Sequence, residues 1–197
     1  MVEWVRSQLP PEPAQLLEVG CGKGDLARAL DRAGYDVVAI DPAAPEGPIF
    51  RRLKLEDVSE DERFDTVVAV LALHHVDDLE VALDRITGLL RPGGTLVLVE
   101  FASDRLDLAT AQWFHQLQGD RGTLEGCRRE WEDEHAGLHG YGAMRPALDV
   151  RFQERSFAWT PYLYRLLDGA VDEAEEQTLI DAETIQALGF RYVGVRD

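Results

Sequence analysis

No apolar run in the chain approaches the roughly 20 residues that a membrane-crossing helix needs. The opening residues, MVEWVRSQLPPEP, hold no apolar stretch of the secretory-signal kind either. Together these absences point away from a membrane partner and towards the cytoplasm. Cysteine is scarce as well. Cys21 and Cys127 are the only two, far apart and without a CxxC neighbour, so neither a disulfide framework nor a cysteine zinc site is signalled. Positive charge is in short supply too: 20 Lys and Arg stand against 37 Asp and Glu, a formal charge of −17 over 197 residues. A field of that sign repels phosphate backbones, whereas nucleic-acid binders carry a basic face, so no nucleic-acid partner is expected.

What is present suits one folded domain over residues 1–197. The hydrophobic fraction, 45%, is enough for a single core, and there is no internal repeat. From about residue 14 to residue 101, short aliphatic runs alternate with helix-period segments, the pattern of βαβ units around a parallel sheet. Strands are predicted over Gln15–Val19, Asp36–Ile40, Ile49–Leu53, Phe64–Val70 and Thr95–Phe101. One helix carries Leu26, Leu30 and Ala33 on a face and stops at Gly34. A second, over Asp78–Leu90, aligns Leu79, Leu83, Ile86 and Leu90, and Arg91-Pro92-Gly93-Gly94 ends it. Residues 102–149 read as a helical insertion, a lid or substrate wall, with an amphipathic helix over Leu106–Leu117 and an acidic, histidine-bearing stretch from Glu130 to Tyr141. A strand over Val150–Trp159, a short helix over Pro161–Leu167, a helix over Asp181–Leu188 capped by Asp181, and a strand over Phe190–Val195 close the chain. The acidic clusters Glu56 to Glu62 and Asp172 to Glu176 read as solvated faces.

The chemistry concentrates at Glu18-Val19-Gly20-Cys21-Gly22-Lys23-Gly24, between a strand and a helix. Glycines there let the backbone approach a ligand closely, and the helix start offers unpaired N–H groups. A dinucleotide fingerprint would need its third glycine at position 25, which is Asp25, and no Gly-Lys-Ser/Thr follows to make a phosphate loop. With Glu18 at its start, the turn suits a ligand with a cationic group. Asp41, ending the second predicted strand, stands where a carboxylate accepts both hydroxyls of a ribose. Cys21 has no basic partner to activate it and reads as a small turn residue.

Four ordered segments carry a resemblance: Leu17 to Gly24; Ala39-Ile40-Asp41-Pro42; Phe64 to Val68 with Leu73-His74-His75-Val76; and Leu90-Arg91-Pro92-Gly93-Gly94-Thr95-Leu96. Over about residues 15–101 the chain resembles the class I S-adenosylmethionine-dependent methyltransferases of the small-molecule, type-11-like branch. The resemblance implies an α/β, Rossmann-like sheet of seven mostly parallel strands in the order 3-2-1-4-5-7-6, helices on both faces, and a cofactor-binding half at 1–101. It implies S-adenosylmethionine as cofactor and S-adenosylhomocysteine as product. Gly20, Gly22 and Gly24, with Cys21 between them, would make room for the methionine part, and Glu18 would lie near its ammonium. Asp41 would hold the ribose, Pro42 would border the adenine, and Val70 and Leu71 would lie beneath the cofactor. Family members often carry an aspartate where this chain has Lys54, so Glu56 or Asp57, with the backbone at Leu55, is expected to cover the adenine edge instead.

Methyl transfer leaves the protein to align the acceptor and remove a proton where one is present. His75 is the candidate base, because a histidine titrates near working pH. The alternative is that His74 and His75 form a turn, one packed and one exposed. Glu100 is a further polar group facing the reaction, and His139 or Tyr141 would contact the acceptor from the lid. His135 and His139 would share a helical face with Glu132, but Gly137 and Gly140 weaken that helix and no metal site is expected. The expected partner is a small-molecule methyl acceptor, and the expected assembly a monomer or homodimer. The competitors are a methyltransferase for a macromolecule, either a protein or a tRNA, the latter needing Arg128, Arg129, Arg145, Arg151 and Arg155 to converge into a basic patch, and a cofactor-binding protein of the same fold that transfers no methyl, a cyclase or regulatory module.

Overall fold

The computed structural model describes residues 1–119 and 122–197. The elements run α1 (Val2–Gln8), β1 (Gln15–Val19), α2 (Asp25–Arg32), β2 (Asp36–Ile40), β3 (Phe50–Arg51), β4 (Phe64–Val70), α3 (Leu79–Leu89) and β5 (Leu90–Phe101). They continue with α4 (Leu108–Leu117), α5 (Leu124–Glu134), α6 (Tyr141–Asp149), β6 (Gln153–Thr160), α7 (Glu173–Asp181) and β7 (Gly189–Val195). The strands form one sheet in the order β3-β2-β1-β4-β5-β7-β6, as the resemblance implied. β7 runs antiparallel between β5 and β6, and the other pairings are parallel.

Alternation along the strands divides the core. Leu16, Val37, Val68, Val97 and Val193 point to one face and pack with α1 and α2 through Val5, Leu26, Ala27 and Leu30. Leu17, Val67, Leu96, Leu98 and Tyr192 point to the other and meet α3 and α6 through Leu83, Ile86, Met144 and Leu148. Burial on both faces is why the central strands read as near-continuous apolar runs. A third cluster gathers Phe114, Cys127, Trp131, Leu163 and Leu188 around Phe101, where β5 ends. The segment 102–149 is therefore split: α4 and α5 build this end cluster, whereas α6 belongs to the core beside α3.

Three expectations are corrected. The third strand shrinks to two residues. The strand predicted from Val150 begins at Gln153, because Val150 caps α6. The helix predicted over Asp181–Leu188 lies earlier: α7 starts at Glu173 and is capped by Asp172, whose side chain accepts from Glu175 N–H while the Glu175 side chain accepts from Asp172 N–H. It ends where Glu183 adopts φ +55°, with Glu183 N–H bonded to Ile180 O and Thr184 N–H to Leu179 O. That stop usually announces itself by a glycine, and here it has none. Ile185, Ala187 and Leu188 are buried without forming a helix.

The Asp172–Glu176 cluster is also not wholly solvated. Glu176 is 0% exposed, and its carboxylate accepts from Tyr162, Leu163 and Tyr164 N–H at 2.6–3.1 Å, capping the 3₁₀ turn Leu163–Leu166. Glu176→Ala would leave one buried and two part-buried donors unpaired and is expected to cost about 2–3 kcal/mol in urea unfolding, against about 1 kcal/mol for Glu175→Ala, which loses only half a cap.

Candidate active site

The parallel strands β2, β1 and β4 end side by side, and the loops leaving them enclose a cavity of about 300 Å³. The glycine turn after β1 is hung on the end of β2: Gly20 and Cys21 N–H both donate to Ile40 O, at 2.9 and 3.0 Å. Gly20 has φ +71°, and a Cβ there would lie 2.5 Å from Ala72 Cβ, so only glycine lets this turn touch the loop leaving β4. Gly22 has φ +51° with open space beside it. Gly24 differs from expectation, because the Phe50 ring fills the room its missing side chain leaves.

Asp41 stands on the cavity rim with Pro42. Its carboxylate accepts from Gly22 N–H at 3.0 Å and Ala43 N–H at 2.7 Å, which leaves lone pairs for further donors. Glu18 is set behind the wall, 4% exposed, and its Oε2 has no hydrogen-bond partner. Burial, opposed by the Ala27 N–H and aided by Asp25 and Asp41, pushes its carboxyl from 4.5 up to about 7. Burial likewise raises the Cys21 thiol to about 11, so it is held as a neutral thiol and packs in the core.

Leu53, Lys54, Leu55 and Glu56 form the opposite wall, whereas Asp57 points outside it. Lys54 reaches Asp77 across the mouth at 3.3 Å. The floor is the exit from β4, where Leu71, Ala72, His75 and Val76 line the cavity and Val70 is turned into the core. Glu100 organises that floor. It is 0% exposed; Oε1 accepts from Ala72 and Leu73 N–H at 2.9 and 2.6 Å, and Oε2 from Phe101 N–H and the His74 ring at 3.1 and 2.7 Å. Every lone pair in reach is used, so Glu100 holds the loop rather than facing a ligand.

The histidine pair divides as its turn reading has it: His74 is buried and His75 exposed, with ring centroids 4.1 Å apart. Burial and the His74 ring lower the pKa of His75 from 6.5, partly offset by Glu100. His139 and Tyr141 do not line the cavity. His139 instead clamps the floor from behind, its N–H on His74 O at 3.1 Å and its Nε2 on Val76 O at 2.9 Å. The Tyr141 ring lies against Trp159, Phe190 and Phe157, drawn there because α6 packs on the sheet. His135 ends α5 and binds Trp131 O through Nδ1, so it shares no helical face with His139. Among the described residues no group of three or more His, Cys, Asp or Glu is placed to hold a metal ion.

A family model described as a methyltransferase domain matches residues 3–137. An uncharacterised methyltransferase of Mycobacterium tuberculosis is 38% identical over 171 residues, which cover 79% of this chain and 83% of that protein. The chain belongs to the class I S-adenosylmethionine-dependent methyltransferases. A ubiquinone biosynthesis O-methyltransferase of Nitrobacter winogradskyi is 33% identical over 95 residues, 42% of this chain and 36% of that one. In fold, the chain resembles an S-adenosylmethionine-dependent methyltransferase from Mesorhizobium loti (TM-score 0.64, 17% identity, 100% and 98% covered). It also resembles the N-methyltransferase NodS of Bradyrhizobium japonicum in complex with S-adenosylhomocysteine (TM-score 0.60, 16% identity, 98% and 84% covered).

Leu53, Ala72, Val76 and Asp77 line the cavity without having been singled out from sequence. Only the apolar-to-polar change on leaving each strand could have flagged them. Glu18 gives the site a pH signature. Because its folded carboxyl titrates near 7 and not at 4.5, stability falls as pH rises between those values and is flat above. Glu18→Gln is expected to remove that slope, raising Tm at pH 8 relative to wild type and leaving it nearly unchanged at pH 4.5.

Proposed function

We propose that this enzyme transfers a methyl group from S-adenosylmethionine to a small-molecule acceptor in the cytoplasm, as a monomer or homodimer. The observation that carries the cofactor reading is the buried Glu18 oxygen without a donor, behind a cavity whose rim carries Asp41. A buried acceptor of that kind is costly until a donor or cation meets it, which an ammonium group does. The residues therefore fit the group. Asp41, already oriented by Gly22 and Ala43, has the free lone pairs to take the ribose hydroxyls. Pro42, Leu53, Leu55 and Glu56 supply a largely apolar slot for the adenine, and Leu71 lies below. Gly22, unobstructed and at positive φ, leaves the turn open to the amino-acid end. Gly24 and Val70 serve indirectly, by shaping the turn and the strand.

When bound, S-adenosylmethionine supplies an activated methyl on a sulfonium, so the protein has only to align the acceptor and accept its proton. His75 is the group on the cavity floor suited to that proton. Its lowered pKa keeps the imidazole neutral, and so able to accept, at pH 7. His74 backs it, held to Glu100 by Nδ1.

A small acceptor is favoured over tRNA by the charge. The five arginines that would have to converge on a nucleic acid are each engaged within the chain. Arg145 pairs with Asp149 and Glu154, Arg151 with Glu80 and Asp84, Arg128 with Glu132 and Arg129 with Glu125, while Arg155 bonds Gln8 O. No helix among the described residues is long and apolar enough to cross a membrane.

Two measurements test this reading. Calorimetry is expected to show S-adenosylhomocysteine binding that Asp41→Ala weakens by about 1–3 kcal/mol, the loss of charged hydrogen bonds; an unchanged affinity would remove the ribose role. His75→Ala is expected to slow methyl transfer roughly 100-fold and to abolish the ascending limb of the pH–rate profile, whose midpoint lies below pH 6.5. A near-normal rate would return His75 to a purely structural place in its turn.

A further inference from the structure

A second cavity, about 130 Å³, adjoins the first at the ends of β5, β6 and β7. Leu71 lines both, so the two are separated by the thickness of one residue. That residue is a leucine at φ +53°, a conformation L side chains rarely adopt, held by its N–H on Val99 O at 2.8 Å. At a liquid volume of about 30 Å³ per water, the space holds about four waters, which suits a small polar head group and not a polypeptide strand.

Arg165 and Arg191 both face it, and among the described residues neither has a carboxylate within salt-bridge distance, whereas Arg51, Arg91, Arg145 and Arg151 each do. Arg165 lies over the rings of Tyr162 and Tyr164, and Arg191 over Trp4 of α1. Arg191 Nε is buried and has no hydrogen-bond partner. Two acids also line the cavity, and both are engaged: Glu100 by its four donors, Glu173 by the Tyr164 hydroxyl at 3.3 Å. Glu100 and Glu173 balance the two guanidiniums in charge, but neither acid is ion-paired with them, and the buried Arg191 Nε–H in particular is left to donate to an oxyanion. The planar guanidinium matches a carboxylate in particular.

We propose that this cavity receives the carboxylate end of the methyl acceptor, fixed by Arg165 and Arg191, while the reacting end passes Leu71 into the first cavity, where His75 lies; the acceptor is then a small carboxylic acid. This rests on the cofactor occupying the neighbouring cavity. Aromatic rings under the guanidiniums restrict them at little cost, so the carboxylate meets donors already oriented.

The test is calorimetry on protein saturated with S-adenosylhomocysteine, using benzoate and succinate as probes against benzamide and succinamide. Each acid is expected to bind at least about tenfold more tightly than its amide, and Arg165→Gln and Arg191→Gln each to weaken acid binding by about tenfold or more with amide and S-adenosylhomocysteine affinities unchanged. Arg165 is exposed, so its variant keeps the test decisive should Arg191→Gln fail to fold. Acids and amides that bind alike, no measurable binding of either acid, tighter binding of inorganic phosphate than of both acids, or an acid affinity that Arg165→Gln leaves unchanged would each overturn the proposal. Failure of the wild-type protein to bind S-adenosylhomocysteine would instead overturn the cofactor reading, and that titration is run separately.

Discussion

The buried carboxylate of Glu100 is the interaction on which the end of the sheet that carries both cavities depends. It sits at the end of β5, inaccessible to water, and joins the backbone of the β4 exit loop to the His74 ring. A carboxylate removed from water is tolerated only when hydrogen bonds replace its hydration. Four donors do so here, and three of them are main-chain N–H groups that the end of β4 and β5 would otherwise leave unmet. Because those donors belong to Ala72, Leu73 and Phe101, satisfying the charge also fixes the cavity floor, including the direction in which His75 leaves it. His139 completes the clamp from the far side.

Glu176 repeats the device on a smaller scale. It caps the 3₁₀ turn that carries Tyr162 and Arg165, the aromatic and cationic wall of the second cavity. Both cavities are thus shaped by buried glutamates that touch no ligand. Glu18 is the contrasting case: its second oxygen is left without a donor, and burial pushes its carboxyl up to about 7. Two satisfied glutamates and one unsatisfied one divide scaffold from site.

The cofactor half was largely legible because its determinants are local. Strand-length apolar runs, a glycine turn and the acid ending β2 each declare themselves within a few residues, and the sheet order came with the family resemblance those segments carry. Within that half, the failures came where side chains chose between environments: Gly24 serves Phe50, and Asp57 and Val70 face away from the cavity. The second half was harder. The end of α7 uses Glu183 in a conformation that sequence signals assign to glycine, and Tyr141 is drawn from the expected lid into the core because α6 packs on α3.

By itself the sequence determined the motifs that mark the family, the succession of strands and helices in the first half, the placement of the glycine turn and Asp41, and a net charge that disfavours nucleic acid. Those are properties of neighbouring residues and of composition, and they survive any rearrangement of the rest. Only the tertiary structure decided which acids are buried and spent, which histidine faces the cavity, and which arginines lack a partner. Each of these depends on groups from 28 residues apart, as for Glu100 and Ala72, to the far ends of the chain, as for Arg191 and Trp4. Whether a charged side chain is scaffold or site is set by what meets it in space, and nothing local records that.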